Sequence, residues 1–451
     1  MSSAKSPRKM KPVWLPESIP YGVSKFAELR RDGRYYVDKT AYIAQLEARA
    51  DFLFFVRPRR FGKSLFVDML RCYYDLNEKK NFKKYFGDLA IGKNPTKNAN
   101  KYQVLALDFS QVGICEGSNW SEKFESYMKL ALEGFLRQYV DSYKEIDAKR
   151  FDAGNLYKAI TNTAAEHGYE IYLIIDEYDN FTNTILAELR ERYEALCHGD
   201  GFFKQFFTVL KAATTGTDAP ISRIFITGVS PVTMDDVTSG FNIAANISMN
   251  PAFSSLAGFT QDDLKAMLEY YHEHADFKFD PEKVRADISE WYDNYRFATV
   301  PMADGSAVPS VANSTLVLSF MRYFLQNHQY PPEFIDENLR VDYRKIRHII
   351  TESHKINGNF HRLEEILEKK GCTATLARSF QARDITRDDN FVTLLYYFGL
   401  LTICGSRFGR TILKIPNRTI EEFMHDFVPR AYEDVNNIDF HGDELLICEE
   451  C

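Results

Sequence analysis

The sequence predicts an α/β fold in which helices flank a parallel, doubly wound sheet. Short apolar runs with the length of buried strands recur along the first half of the chain, at residues 52–56, 104–110, 171–175 and 223–228, with a shorter candidate at 245–248. Stretches with helical spacing separate most of these runs, and strands that alternate with helices indicate a parallel sheet. Beyond Gly258 the strand signals stop, so we expect a mainly helical part to follow.

Length and composition indicate a globular protein of two or three domains. The 451 residues are 45% hydrophobic and 14% aromatic, and the net charge of −7 argues against a protein coated with nucleic acid. No apolar run approaches the roughly 18–20 residues of a membrane-spanning helix, and no signal-peptide core opens the chain. Seven scattered cysteines fit reduced thiols, so we expect a cytoplasmic protein that does not contact a membrane.

The run at 52–56 leads into a short loop and then into the triplet Gly62-Lys63-Ser64. Strand, loop and amphipathic helix in this order are typical of a phosphate-binding P-loop, where Lys63 would supply a point charge and Ser64 would help hold Mg²⁺. The usual pattern is G-x-x-x-x-G-K-[ST], and Arg57 followed by Pro58 stands where its first glycine belongs. We expect Arg59, Arg60, Phe61, Gly62 and Leu65 to bind nucleotide together with Lys63 and Ser64.

Two adjacent acids, Asp176 and Glu177, end the strand predicted at 171–175. In a doubly wound sheet this strand end lies beside the phosphate loop, so Asp176 can hold Mg²⁺ and Glu177 can activate the attacking water. The alternative is that the pair only caps a following helix. Thr227 ends the next strand, where it is either a sensor of the γ-phosphate or a satisfied hydroxyl, and Asp108 ends the second strand on the same face.

Further features concern the walls of the site. A short helix at 40–49 precedes the phosphate-loop strand, where it could form an adenine-side wall. Arg59 and Arg60 contact phosphate or face solvent. Arg296 is a candidate sensor that links the lid to the γ-phosphate, or a buried structural arginine.

The second half of the chain is predicted to hold a helical lid and a winged-helix-like α+β region. Helices are expected at 260–273, 281–296 and 314–327, with Thr260 and Asp263 close to a capping box. A hairpin follows at 400–404 and 411–415. The domain bounds are therefore a disordered lead-in at 1–17, a nucleotide domain at 18–257, the lid at 258–332, the winged-helix-like region at 333–430 and a tail at 431–451.

DNA contact is a second hypothesis. Arg340, Arg344 and Arg347 fall on one helical stripe and could contact phosphates, as could Arg407 and Arg410 on the wing. A solvated helix is the simpler interpretation, because the total charge is acidic. The terminal Cys448 and Cys451 form a single C-x-x-C without a second ligand pair, so we expect a frayed terminus there.

Several motifs together resemble a known family, the predicted AAA-ATPase-like proteins of bacteria. The matching runs, in the family's order, are Tyr36-Val37-Asp38-Lys39-Thr40, Arg57-Pro58-Arg59-Arg60-Phe61-Gly62-Lys63-Ser64, Leu107-Asp108-Phe109-Ser110, Ile175-Asp176-Glu177-Tyr178-Asp179, Thr227-Gly228-Val229-Ser230, Gly258-Phe259-Thr260, Trp291-Tyr292-Asp293, Tyr295-Arg296-Phe297, Leu394-Leu395-Tyr396, Gly399-Leu400-Leu401-Thr402 and Ile415-Pro416-Asn417. The resemblance covers about residues 18–425 and implies that the loop without its first glycine is the family's own.

The chain departs from this family at three places. Asn294 stands where glycine is usual, and Ser314 follows Asn313 where proline is usual. Family members usually carry a C-terminal PD-(D/E)XK-type nuclease, but no Asp followed by Glu-x-Lys comes after Phe427. We therefore expect any cleavage to need a partner.

The sequence thus predicts a P-loop NTPase fold with an extra strand between the Walker A and Walker B strands. We expect an ATPase that binds ATP and Mg²⁺ and uses ATP hydrolysis to drive a conformational switch, with another protein or a second copy of the chain as its partner. Two alternatives remain open. One is a nucleotide-gated interaction module with little turnover, and the other is a DNA-associated component of a mobile-element or defence system that works with a separate nuclease.

Overall fold

A computed structural model describes residues 19–112, 120–179, 202–216, 219–231, 244–335, 351–352, 355–356, 358–380, 384 and 387–436. The lead-in, the Arg340, Arg344 and Arg347 stripe and the terminal cysteines lie outside these residues. Among the described residues, no helix combines the length and apolar character that crossing a bilayer requires.

A five-stranded parallel sheet organises the first half of the protein. Its strands are β1 (Phe52–Val56), β2 (Gln103–Asp108), β3 (Ile171–Asp176), β4 (Ile221–Gly228) and β5 (Ala245–Asn246), in the spatial order β2-β3-β4-β1-β5. Strand β4 therefore lies between β1 and β3, which confirms the predicted extra strand. Because β1 and β3 are apolar and almost wholly buried, both faces of the sheet must be covered by other elements.

Helices cover this sheet. They are α1 (Phe26–Arg31), α2 (Tyr42–Arg49), α3 (Lys63–Tyr74), α4 (Phe82–Phe86), α5 (Ala90–Lys93), α6 (Trp120–Gln138), α7 (Ala153–His167) and α8 (Phe202–Ala213). Helix α3 directly follows the phosphate loop and buries Phe66, Met69 and Leu70 against the sheet. The fold class predicted from alternating strands and helices is confirmed.

Three helices follow the sheet where the lid was predicted: α9 (Gln261–His274), α10 (Pro281–Tyr292) and α11 (Ser314–Asn327). Thr260 and Asp263 form a full capping box at the start of α9. The prediction for the second helix was wrong at its end, since α10 stops at Tyr292 and not at 296. Asn294 has a left-handed φ of +74°, which a helix cannot continue through.

The last part of the chain combines helices with antiparallel strands. Strands β6 (Thr351–Glu352) and β7 (Lys355–Ile356) form a small pair, followed by α12 (Gly358–Lys369), β8 (Gly371–Ala374), α13 (Asp388–Tyr397), β9 (Thr402–Arg407), β10 (Arg410–Lys414) and α14 (Arg418–Asn436). The predicted hairpin is present as β9 and β10, but β8 adds a third strand beside β10 that the sequence did not indicate. The domain bounds stay predictions.

Candidate functional site

The phosphate loop connects β1 to α3, as the sequence predicts. Gly62 directly precedes α3 and has a φ of +88°, a left-handed conformation that side chains rarely adopt. Arg60 is also left-handed, with a φ of +69°. These two turns bring the backbone N–H groups of the first turn of α3 to the loop, and such a helix start is a ready site for an anion.

Lys63 is held at the centre of this loop. Its side chain is almost wholly buried, and its Nζ donates hydrogen bonds to the carbonyl oxygens of Arg57 and Pro58, each at 3.1 Å. The same Nζ lies 3.9 Å from Oε1 of Glu177. The lysine of the phosphate loop therefore lies beside Glu177, the residue that directly follows β3.

Asp176 and Glu177 lie at the carboxyl end of β3, with Asp176 paired in register to Asp108 on β2. Burial and, to a smaller extent, the neighbouring Glu177 raise the pKa of Asp176 to about 6, although a hydrogen bond from Ser64 and the charge of Lys63 act in the opposite direction. Glu177 has a left-handed φ of +49°, and its N–H donates to Oδ1 of Asp176 at 2.9 Å. The site thus crowds carboxylates at the edge of the sheet next to the phosphate loop.

A cavity of about 270 Å³ opens beside the loop. Arg60, Phe61, Gly62, Lys63, Ser64, Leu65 and Glu177 all line it. Its remaining walls come from Phe66 and from within residues 20–39, 256–259 and 314–318. The lining residues on this side, such as Leu29, Tyr35 and Tyr36, lie before the helix at 40–49, so that helix does not form the predicted wall.

Four predicted site residues do not line this cavity: Arg59, Asp176, Thr227 and Arg296. Thr227 is fully buried on β4, between β1 and β3, and its Oγ1 has no hydrogen-bond partner in the described structure. Arg296 is half-buried, and its backbone N–H donates to Oγ1 of Thr402 at 2.7 Å. Their predicted roles stay predictions.

Arg57 has a role that sequence reasoning missed. Its side chain is 1% exposed, and its guanidinium donates to the carbonyl oxygens of Val56 (2.9 Å), Ser248 (2.5 Å) and Phe253 (3.2 Å). The same group lies 4.4 Å from the ring centre of Phe55 and 4.2 Å from that of Phe297. The residue in place of the first glycine thus turns away from the cavity and into the core.

Asp179 is a second residue whose role the sequence did not indicate. It is fully buried, and its carboxylate accepts hydrogen bonds from the N–H groups of Val229 (3.0 Å) and Ser230 (2.7 Å), just after β4. A Cβ on Gly228 would lie only 2.3 Å from Oδ1 of Asp179. Asp179 therefore fixes the end of β4 that carries Thr227. The only hint of this role in the sequence was the position of Asp179 in the motif Ile175-Asp176-Glu177-Tyr178-Asp179.

One family model matches a segment in the first half of the chain. Residues 20–238 match the model of the AAA-ATPase_like family, described as predicted AAA-ATPase. The resemblance inferred from the motifs is confirmed, and it places the phosphate loop and the acids after β3 in the matched part.

The chain is also similar, over most of its length, to several known proteins. An uncharacterized protein in the vnfD 5′ region of Azotobacter chroococcum mcd 1 is 26% identical over 427 residues, which cover 92% of this chain and 70% of that protein. The Walker-type ATPase of Pyrococcus abyssi has a TM-score of 0.47 at 10% identity, covering 86% of this chain and 94% of that one. The Aeropyrum pernix ORC2 protein in ADPNP-ADP complexes has a TM-score of 0.41 at 12% identity, covering 90% and 92%. Likenesses below a TM-score of 0.5 say nothing about activity.

Proposed function

We propose that the protein is a P-loop ATPase that binds ATP with Mg²⁺ and hydrolyses it to drive a conformational switch. The observation that carries this proposal is the meeting of Lys63 and Glu177 at 3.9 Å on one cavity, although they follow different strands. Phosphoryl transfer needs a cation on the phosphates and a carboxylate near the attacking water. The match to the predicted AAA-ATPase family supports the same assignment.

The phosphates of ATP would lie at the start of α3. The backbone N–H groups from Arg60 to Leu65 would donate to them, and Lys63 would exchange the carbonyls of Arg57 and Pro58 for phosphate oxygens. The nucleoside would extend along the wall that residues 20–39 form. This exchange of partners by Lys63 makes the first half of the loop sensitive to nucleotide.

The residues near Ser64 fit Mg²⁺ in the form that nucleotide enzymes use. Asp176 is a buried carboxylate whose pKa is raised to about 6 by burial and by Glu177, so a nearby cation would relieve the crowding of negative charge. Among the described residues, no three His, Cys, Asp or Glu side chains converge as a metal cage. Mg²⁺ usually needs only one or two carboxylates, with phosphates and water as its other ligands.

Glu177 would orient and deprotonate the attacking water. Thr227 lies beside the same strand end, and its buried Oγ1 has no partner within the described chain. A buried hydroxyl without a partner is unfavourable, so an ordered water between Thr227 and the phosphates would satisfy it. Mg²⁺, when bound, would neutralise the charge that develops on the phosphates.

The contacts of the loop suggest how hydrolysis could move the rest of the protein. Gly399, just after α13, packs so closely on Pro58 that a Cβ there would lie 3.0 Å from the Pro58 side chain. Arg57 contacts Phe297 beyond the lid helix α10. When Lys63 releases the carbonyls of Arg57 and Pro58, a movement of these two residues would therefore be transmitted through their contacts with Phe297 and Gly399 in the second half of the chain.

Thermal unfolding and hydrolysis assays on the full chain test this proposal. We expect millimolar ATP with Mg²⁺ to raise the Tm of the wild type, since a ligand that binds the native state stabilises it, and Lys63→Ala to abolish this shift. Glu177→Gln should keep the shift but reduce steady-state hydrolysis by about 10²–10⁴-fold. The exposed Lys144→Ala and Glu145→Gln are matched controls and should change neither result.

The outcomes separate the competing hypotheses. No Tm shift with ATP in the wild type would contradict nucleotide binding at this site. A shift without measurable hydrolysis would favour the nucleotide-gated interaction module with little turnover. An unchanged rate in Glu177→Gln would remove Glu177 from the reaction.

A further inference from the structure

A second cavity lies away from the nucleotide site, between the segment that follows β5 and the C-terminal helices. It has a volume of about 300 Å³ and is polar. Its lining includes Arg49 at the end of α2, Asn246 and Asn250 around β5, Arg378, and Tyr397 at the end of α13. Residues from three distant parts of the chain therefore meet at this one place.

The side chains of this cavity offer hydrogen-bond donors rather than acceptors. The Oδ1 of Asn246 already accepts from the N–H of Ser248 at 2.9 Å, and the Oδ1 of Asn250 accepts from the N–H of Ala252 at 3.0 Å. The amide NH₂ groups of both residues are left as donors. No Asp or Glu is part of the lining, so only an acceptor-rich ligand complements it.

The two arginines of the cavity lack carboxylate partners. Within the described chain neither Arg49 nor Arg378 forms an ion pair, whereas several other exposed arginines, such as Arg410 and Arg418, do. Unpaired surface arginines are common, and by themselves they would indicate only a solvated face. A second observation points to a ligand.

That observation is the hydroxyl of Tyr397. The residue is 2% exposed and lines the cavity, yet its hydroxyl has no hydrogen-bond partner in the described structure. Burial raises the pKa of this phenol to about 12, so it is protonated and able to donate at neutral pH. A buried donor without a partner is unfavourable, and an acceptor in the cavity would satisfy it.

We propose that this cavity binds a phosphate group, held by Arg49, Arg378 and the hydroxyl of Tyr397. A phosphate offers several acceptor oxygens to donors that converge from different directions, and arginine is the side chain best suited to bind it. The site is distinct from the nucleotide cavity and does not depend on hydrolysis there. A small phosphate-bearing molecule and a nucleic-acid backbone both present this group.

Binding measurements on the full chain test the proposal, with inorganic pyrophosphate by calorimetry and a fluorescein-labelled 12-nucleotide single strand by anisotropy. All variants are made in the Lys63→Ala background as well, so that binding at the phosphate loop is recognised. We expect Arg49→Gln/Arg378→Gln to weaken binding at least tenfold, because charge-assisted hydrogen bonds are lost. Tyr397→Phe, which removes only the hydroxyl, should weaken binding about threefold to tenfold.

The matched control is Arg137→Gln/Arg150→Gln, which removes the same charge from two exposed arginines on other elements and should bind like the wild type. Tighter binding of pyrophosphate would identify a small ligand, and tighter, salt-dependent binding of the single strand would identify a nucleic-acid backbone. Equal affinities in the wild type, the Arg49/Arg378 variant and the control would overturn the proposal. So would the absence of binding of either probe at millimolar concentration in the wild type.

Discussion

The two halves of the phosphate loop differ in what surrounds them. The first half, Arg57 and Pro58, is buried among carbonyl groups, aromatic rings and the backbone near Gly399. The second half, from Arg60 to Ser64, lines the cavity. In a loop with the usual glycine, both halves approach phosphate. Here the first half serves as an anchor, and the second half faces the cavity.

The anchor is a buried positive charge without an acid. No carboxylate pairs with Arg57 among the described residues, so carbonyl dipoles and the faces of Phe55 and Phe297 stabilise its charge instead. Burial lowers the pKa of Arg57 to about 10, with Tyr396 and Tyr397 acting in the opposite direction. The side chain therefore remains protonated at neutral pH.

The largest expected effect is a difference in stability between a variant of the first half of the loop and a variant of the second half. Arg57→Ala should lower the free energy of unfolding by about 3–5 kcal/mol, because it leaves a cavity and buried carbonyls without donors. Lys63→Ala should lower it far less, while abolishing stabilisation by ATP. Urea denaturation with and without ATP measures both quantities for each variant.

A gentler change at the anchor provides the control. Arg57→Met keeps much of the volume and removes the buried charge, so it should destabilise less than Arg57→Ala. If Arg57→Ala proved as stable as the wild type but failed to bind ATP, the assignment of the first half as an anchor would be wrong.

The next effect concerns Asp176, which lies beside the second half of the loop. Asp176 has a pKa of about 6 in the folded protein and 3.8 in a model peptide, so its contribution to stability is present below pH 4 and lost as the pH rises through 6. Each pKa unit corresponds to about 1.4 kcal/mol, which bounds the loss at about 3 kcal/mol. Without metal or nucleotide, Asp176→Asn should therefore be more stable than the wild type above pH 6.

Denaturation in EDTA between pH 4 and pH 8 checks this prediction. The exposed Asp141→Asn is the control and should follow the wild type. A wild type and an Asp176→Asn variant whose stabilities run parallel across this range would contradict the raised pKa.

A smaller effect is expected at Asn294, next to the rings that contact both halves of the loop. Tyr295 packs edge-on against Phe61 at 4.9 Å, and Phe297 covers Arg57. Asn294 holds a φ of +74°, so Asn294→Gly should relieve strain and raise stability by up to about 1 kcal/mol. Asn294→Ala should instead lower stability by about 1–2 kcal/mol. If both variants changed the stability in the same direction, the left-handed backbone at Asn294 would not be the cause of the change.

The smallest effect is expected at Ser314, the first residue of α11. Asn313 before it is extended, with φ −65° and ψ 109°, which is the conformation that a following proline requires. Ser314→Pro should raise stability by about 0.4–1 kcal/mol. The carbonyl of Arg60 would lose the Ser314 hydroxyl but keep both donors of Thr315. Thermal unfolding against Ser314→Ala measures this gain, and a loss in Ser314→Pro would contradict it.

Local patterns were enough to predict much of the fold and part of the site. The strands at 52–56 and 171–175 are apolar, and Thr260 with Asp263 carries its capping signal within three positions. The roles of Gly62 and Lys63 could be predicted because the phosphate loop is formed by residues that are neighbours in the sequence. Two of the three departures from the family pattern, Asn294 and Ser314, also fall at positions whose backbone suits glycine and proline.

Other features arise only from contacts between distant residues. The buried position of the Arg57 side chain depends on Ser248, Phe253 and Phe297, none of which is near it in sequence. Strand β8 consists of Gly371-Cys372-Thr373-Ala374, which carries no apolar run and is defined by its pairing with β10. The cavity wall from residues 20–39 likewise results from packing over the loop, for which no local pattern exists.

The anchor of Arg57 also has a consequence for synthesis on the ribosome. The strand that leads to it emerges early, but Phe297 follows only at position 297, and translation at roughly 5–20 residues per second separates the two by tens of seconds or less. During this interval the ring of Phe297 cannot yet cover the guanidinium of Arg57. The phosphate loop should therefore reach its final form only after Phe297 has left the ribosome, so that an incomplete nascent chain lacks the finished loop.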